Sequence, residues 1–188
     1  DFCLSRGLGD VYKRQAQNTP VHIDAVQVAG KLPINFHELG ATTLAASAHK
    51  FGGPRGIGLL LARRTPAPLP LAFGGGQERG IRPGTVDVAS ASALAAALRE
   101  SVADMEQEET RLTALRDKLK AGIESSIDNV IINSAEPTLA SHLHVSFPGT
   151  DGDSLIMLLD AAGIEASAGS ACHAGVNRMS HVLEAMGI

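Results

Sequence analysis

The sequence predicts an α/β fold in which a mainly parallel sheet leads through a long linking helix into a smaller α+β unit. Two sets of short apolar segments, bounded by Gly, Pro and Asp, are typical of strands. Between the two sets, residues 87–123 carry apolar side chains at steps of three, four or seven, which indicates a helix. Strands that alternate with helical segments favour parallel pairing.

The first set of strand candidates comprises residues 21–23, 42–47 and 56–62. The first candidate ends at Asp24, and the second leads into the glycine-rich turn 51–54. The third is apolar without alternation, which predicts a strand that is covered on both faces.

The linking helix at 87–123 would be roughly 55 Å long at 1.5 Å per residue. That length exceeds one small domain, so we expect the helix to bridge two packing units. Its charged second half, around 106–116, indicates a solvated outer face. A short kink within the helix remains an open alternative.

The smaller unit contains three strand candidates and one helix candidate. The strands are expected at 130–133, 142–147 and 164–167, and the helix at 152–162. Thr150 with Asp153 three residues later resembles a capping box, and Gly163 fits the position just after a helix end.

Composition sets limits on the class of protein. The chain has 188 residues, of which 44% are hydrophobic, and a formal net charge of −4, which argues against nucleic acid as a partner. No apolar run reaches the roughly 18 residues of a membrane span. The two cysteines, Cys3 and Cys172, lie far apart in the chain, which excludes a disulfide-rich scaffold and favours a reducing, cytoplasmic compartment.

The domain organisation is predicted in three parts. Residues 1–15 hold the only Tyr and show no periodicity, so we expect a non-native leader there. Residues 16–105 would form one domain, and residues 106–188 a second, smaller one.

Lys50 is the first candidate for chemistry. It follows the second strand in the segment Ser47-Ala48-His49-Lys50, so it can lie at the lip of a parallel sheet, where α/β proteins place ligands. Partial burial favours the neutral amine that a Schiff base requires. Ser47 and His49 could donate hydrogen bonds to a phosphate. The alternative is an ordinary surface lysine in a loop.

Asp24 and Gln27 form a second candidate pair. Asp24 ends a strand, and Gln27 three residues later can face the same side. A buried carboxylate needs a cationic partner, and a protonated pyridine nitrogen would be one. The alternative is that Asp24 only caps the following turn.

The glycine-rich segment 74–85 is a third candidate. It fails the dinucleotide motif G-x-G-x-x-G because Arg79 stands where the third glycine should be, and no Walker A motif occurs in the chain. Thr85 stands just before the linking helix, where backbone amides and a hydroxyl suit an anion.

Cys172 is the fourth candidate. Small residues surround it at 168–175, which favours an accessible and nucleophilic thiol over a small buried apolar side chain. His142 and His144 alternate on a strand and could join Cys172 in a zinc site, but no second close cysteine accompanies them, so no metal is predicted. A Cys-His hydrolase is disfavoured because adjacent residues, Cys172 and His173, rarely face each other.

Five segments in this order resemble the cysteine desulfurases of the NifS/IscS type, in the class V aminotransferase family of fold-type-I pyridoxal-phosphate enzymes. The segments are 22–27, 47–56, 74–85, 145–149 and 167–182. The resemblance implies a fold-type-I transferase and identifies the chain as an internal fragment. Residues 16–105 would then be the C-terminal part of the cofactor-binding large domain, and 106–188 part of the small domain that carries the cysteine loop.

The resemblance implies a role for each matching residue around the cofactor, pyridoxal 5'-phosphate. Lys50 would form the Schiff base, Asp24 would pair with the pyridinium nitrogen and Gln27 would bind the ring phenol oxygen. Ser47 and His49 would bind the cofactor phosphate.

The resemblance places two more residues, one at a subunit interface and one on a loop. Thr85 would reach the phosphate of the other subunit's cofactor, which requires a homodimer. Cys172 would accept the substrate sulfur.

The implied activity is the conversion of L-cysteine to L-alanine, with the sulfur held as a persulfide on Cys172. A sulfur-acceptor protein, such as an iron–sulfur scaffold or a thiolation partner, would receive it. The fragment itself is expected to be inactive. The alternatives are another class V lyase or transferase, such as a selenocysteine lyase, and a binding module without catalysis. The presence of Lys50 and Cys172 disfavours the binding module.

Overall fold

A computed structural model describes residues 13–14, 16–17, 19–135, 137–168, 181–185 and 187. In chain order the elements are β1 His22–Asp24, α1 Phe36–Leu39, β2 Thr43–Ser47, a 3₁₀ helix Ala48–Lys50, β3 Gly58–Ala62, a 3₁₀ turn Gln77–Gly80, α2 Val88–Ala103, α3 Met105–Ser126, β4 Ile131–Ile132, β5 Val145–Ser146, α4 Gly152–Ala161 and α5 His181–Ala185.

The first sheet has the strand order β1-β2-β3. β1 and β2 are parallel, with Asp24 opposite Ala45, and β2 and β3 are antiparallel, with Ser47 opposite Gly58. The predicted α/β class is confirmed. The sheet in the described residues is mixed rather than mainly parallel, because the turn after β2 sends the chain straight back as β3.

One face of this sheet packs on α2. Side chains alternate along β2, so Leu44 and Ala46 are buried while their neighbours are only partly covered. Ala46 belongs to a buried cluster whose other members are Ala29, Ala48, Phe51 and Leu94. Ser101 Oγ of α2 donates to the Gly30 carbonyl oxygen at 2.9 Å. A Cβ at Gly30 would come within 2.6 Å of that hydroxyl, so the close approach of the helix requires glycine.

The opposite face of the sheet has no helix against it in the described residues. His22 Nδ1 lies 2.7 Å from Thr43 Oγ1 across the β1–β2 pair on this face. On β3, Leu60 lies opposite Ala45 on this face and is 49% exposed. The expectation that this strand is covered on both faces is therefore wrong for the described chain, because β3 is an edge strand with α2 on one side only.

The linking segment is two helices rather than one. α2 ends at Ala103, Asp104 separates the helices with φ −93° and ψ 0°, and α3 continues to Ser126. The kink that the sequence analysis allowed as an alternative is therefore present, at Asp104. The helical segment extends three residues beyond its predicted end at residue 123. Among the described helices, none is long and apolar enough to cross a membrane.

The smaller unit contains an antiparallel pair, β4 with β5, in which Ile131 lies opposite Ser146. Both strands are shorter than predicted. Residues 164–167 form no strand, because Ile164 N–H is used by the end of α4, where it donates to the Leu159 carbonyl at 2.8 Å. Gly163, at φ +75°, supplies the left-handed residue that this helix end requires, as predicted.

The start of α4 differs from the predicted capping box. Asp151, rather than Thr150, is the N-cap, and its carboxylate accepts from Ser154 N–H at 2.9 Å and from the Ser154 hydroxyl at 2.7 Å. Thr150 Oγ1 instead donates to the Phe147 carbonyl at 2.7 Å. A carboxylate is a strong acceptor for the free amides of a first turn, which explains why Asp151 takes this position.

Candidate functional site

The carboxyl ends of β1 and β2 meet at one edge of the sheet. Ala25 N–H, just beyond β1, donates to the Ala45 carbonyl at 2.9 Å, which continues the parallel alignment past Asp24. Asp24 and Ser47 end their strands on the same face, because Asp24 is paired with Ala45 and Ser47 stands two residues further along. Local sequence and register together therefore place these two side chains at one edge.

The 3₁₀ helix after β2 holds the next part of the site. Ala48 is fully buried and anchors the helix, while Ser47 and His49 face outward, with Ser47 Oγ 2.8 Å from His49 Nδ1. Gly53 N–H donates to the Ala48 carbonyl at 2.9 Å, and a Cβ at Gly53 would lie 2.8 Å from the Ala48 Cβ. Gly53 therefore allows the tight turn that holds the Ser47 hydroxyl and the His49 imidazole close together at the surface.

Asp24 makes one local contact and keeps one oxygen available. Its Oδ1 accepts from Val26 N–H at 2.9 Å, so the turn-capping role that the sequence allowed is present. No hydrogen bond or ion pair of Oδ2 occurs within the described residues. Gln27 lies exposed in the same turn, which is closed by the Ala29 N–H donating to the Ala25 carbonyl at 2.9 Å.

Lys50 is half-buried at the end of the 3₁₀ helix, and two other nitrogen bases, Lys31 and His142, interact with it electrostatically. Burial, together with repulsion from Lys50, holds the pKa of Lys31 below its ordinary value. Desolvation, with repulsion from Lys31 and Lys50, lowers the pKa of His142. The fold therefore brings three nitrogen bases together from three separate segments of the chain.

Sequence reasoning missed Lys31 as a neighbour of the site, and it considered His142 only as a metal ligand. A lysine between Gly30 and Leu32 carries no motif, and His142 lies more than ninety positions from Lys50, so local patterns give no signal. Within the described residues no group of three His, Cys, Asp or Glu is placed to hold a metal ion. His144 Nδ1 lies 2.8 Å from Asn133 Nδ2, in a packing contact of the small sheet.

Thr85 lies exposed in the loop before α2, and among the described residues no hydrogen bond links it to Asp24 or Lys50. The start of α2 is capped by Asp87, which accepts from Ser90 N–H at 3.0 Å. Hydrogen bonds from Ser90 hold the pKa of Asp87 below its ordinary value. The Asp87 carboxylate thus caps the helix start at which the sequence predicted that an anion could bind. Cys172 and His173 lie outside the described residues.

Comparison with known proteins places the chain in a family. The aminotransferase class-V pattern matches residues 7–186. The chain belongs to the aminotransferase class-V family. An IscS-like cysteine desulfurase from Mycobacterium tuberculosis is 50% identical over 171 residues, which are 90% of this chain and 44% of that protein. The cysteine desulfurase NifS from Azotobacter vinelandii is 39% identical over 168 residues, covering 89% of this chain and 43% of that protein.

Solved structures agree with this class-V assignment. A NifS-like protein superposes with a TM-score of 0.81 at 36% identity, covering 93% of this chain and 45% of its own. SspA in complex with cysteine superposes with a TM-score of 0.72 at 30% identity, covering 95% of this chain and 49% of its own. These matches confirm the resemblance to NifS/IscS-type proteins and the fold-type-I architecture. The chain spans a little under half the length of the curated relatives named above.

The cluster of bases predicts a pH dependence. We expect His142 in the folded chain to titrate below the ordinary histidine value of about 6.5. The unfolded chain then binds this proton first, so His142 makes stability fall as the pH is lowered through about 6.5 toward its folded pKa. Lys31→Met should raise the pKa of His142, because it removes one repulsive charge.

Titration of the His142 ring signals by NMR checks this expectation. Lys118→Met, which removes an exposed lysine of α3, is the matched control and should leave the His142 titration unchanged. An unchanged His142 pKa in Lys31→Met would contradict the proximity of these two groups.

Proposed function

We propose that this chain is the part of a cysteine desulfurase that holds pyridoxal phosphate and carries the sulfur-accepting cysteine. The observation that carries the proposal is the edge where Asp24, Ser47, His49 and Lys50 come together at the carboxyl ends of two parallel strands. Membership of the class-V family supports the cofactor. The desulfurase names of relatives at 39% and 50% identity support cysteine, rather than selenocysteine, as the substrate.

The donor set at this edge fits pyridoxal phosphate. Asp24 keeps Oδ2 available for a ring N–H, and Gln27 offers an amide from the same turn. Ser47 Oγ and His49, 2.8 Å apart, form a pair of donors suited to a phosphate. Lys50 supplies the amine that would carry the aldehyde end of the cofactor. When bound, pyridoxal phosphate supplies the electron sink that labilises bonds of an amino-acid substrate.

Each side chain at this edge has a separate role in the proposed reaction. The Asp24 carboxylate holds the proton on the ring nitrogen, because an unpaired carboxylate at this position gains a cationic partner. Ser47 and His49 fix the phosphate and therefore the orientation of the ring over the sheet edge. With pyridoxal phosphate bound, the Lys50 amine would hold the aldehyde end of the cofactor and would serve as the base that moves the substrate α-proton.

Cys172 is proposed as the acceptor of the substrate sulfur. Its thiolate attacks the sulfur of L-cysteine, so an S–S bond forms as the Cβ–S bond breaks. The carbon side keeps the electron pair, is protonated and leaves as L-alanine. The small residues around Cys172 suit a loop that carries a thiol between a cofactor and an outside acceptor, such as an iron–sulfur scaffold.

A homodimer is part of the proposal. Leu69, Leu71 and Phe73 precede Thr85 in one connection, and they are 86%, 101% and 90% exposed. An apolar segment of this kind indicates a surface that another chain covers. A second subunit on this connection would bring Thr85 toward the partner's cofactor phosphate, as the resemblance implies.

The cofactor assignment predicts a visible absorbance band when pyridoxal phosphate is added to the full-length protein that carries this chain. Lys50→Ala should abolish the band, because Lys50 is the amine that directly follows the carboxyl end of β2. Lys118→Ala removes an exposed lysine and should leave the band intact. A band of parent intensity in Lys50→Ala would overturn the assignment of Lys50.

The sulfur assignment predicts that Cys172 is the residue that carries a persulfide after L-cysteine is added. Cys172→Ser should still bind pyridoxal phosphate, since Lys50 and Asp24 are unchanged, yet form no alanine above background. Peptide mass spectrometry locates the sulfur, and amino-acid analysis measures the alanine. Alanine formation by Cys172→Ser at the parent rate would show that Cys172 is not the acceptor.

A further inference from the structure

A cleft of about 320 Å³ lies beside the cofactor edge and takes no part in the proposed reaction. It is bounded by the Gly30–Leu32 turn, by the junction of α2 and α3 and by residues 139–141. Leu32, Phe51 and Leu139 provide apolar walls. The volume is at the lower end of the roughly 300–1,000 Å³ of ligand pockets, so the cleft suits a small ligand.

Charges of opposite sign line the cleft. Lys31 is the cation, and carboxylates of the α2–α3 junction are the anions: Glu100, Asp104, Glu108 and Glu109. Glu108 is already paired, because both its oxygens accept from Arg111, at 2.9 and 2.7 Å. In the described part of the chain the other three carboxylates have no ion pair.

Lys31 also lacks an ion pair within the described residues. Burial and repulsion from Lys50 both lower the pKa of Lys31, so the attraction of an anion beside the Lys31 ammonium would offset both effects. Asp104 begins α3 without a side-chain capping bond, so its carboxylate is free for a ligand. The cleft thus holds an unpaired cation and unpaired anions that do not neutralise each other.

We propose that this cleft binds a small α-amino acid as its zwitterion, at a site separate from the cofactor edge. The ligand carboxylate lies at Lys31, its ammonium group lies at the Asp104 side of the cleft, and its side chain lies against the apolar walls. A molecule that carries one charge of each sign finds a group of opposite charge for both in this lining. The binding is noncovalent and needs no cofactor.

The test titrates the full-length protein that carries this chain, prepared without pyridoxal phosphate, with L-alanine and follows backbone amide shifts by NMR. We expect saturable shifts at Gly30, Lys31, Leu32 and Asp104. Lys31→Met keeps the aliphatic stem and should weaken binding by about tenfold, the loss of one charge-assisted hydrogen bond. Asp104→Asn should weaken it similarly, and it disturbs no capping bond.

Matched controls separate the site from general charge effects. Lys118→Met and Glu106→Gln remove exposed charges of α3 and should leave the affinity for L-alanine unchanged. Acetate and methylammonium each carry half of the zwitterion and should bind more weakly than L-alanine. Acetate binding as tightly as L-alanine, or parent affinity in Lys31→Met, would overturn the proposal. The positions of the shifts separate this site from the proposed reaction site: shifts confined to Asp24, Ser47 and His49 would place L-alanine at the cofactor edge and overturn the proposal.

Discussion

The parallel register of β1 against β2 is the constraint on which the rest of the structure depends. It places Asp24 opposite Ala45, and the bond from Ala25 N–H to the Ala45 carbonyl carries the alignment beyond the strand. The carboxylate at the end of one strand and the Ser47–Lys50 segment at the end of the next therefore share one edge. A slip of one residue would turn Asp24 to the opposite face, toward α2.

Small residues make that edge compatible with a packed core. Ala46 and Ala48 are buried beneath α2, and Gly30 and Gly53 allow backbone approaches that a Cβ would block. Because the core lies on one face of the sheet, the other face stays open for the polar ends of β1 and β2. The same arrangement leaves β3 as an exposed edge, which explains why its apolar residues are half in solvent.

The sequence predicted the parts of the molecule that local chemistry determines. Asp24 and the Ser47-Ala48-His49-Lys50 segment could each be placed at the end of a strand, because apolar patterns show where each strand stops. That the two ends share one edge follows from the parallel register of the strands, which the structure shows. The glycine stop at Gly163 could likewise be recognised from the local pattern. The outcome of competition between neighbouring residues was harder to predict from the sequence. Asp151, rather than Thr150, caps α4, and Ile164 bonds to the end of α4 instead of forming the predicted strand. The meeting of Lys31 and His142 beside Lys50 depends on tertiary packing, which no motif records.

The central claim is that the carboxyl edge of β1 and β2 is a cofactor site with Lys50 as its attachment point. The most direct measurement reduces the pyridoxal-phosphate-loaded protein with borohydride, digests it and locates the attached cofactor by peptide mass spectrometry. The account predicts attachment at Lys50 alone. Attachment at Lys31, or an even spread over exposed lysines such as Lys118, would contradict it.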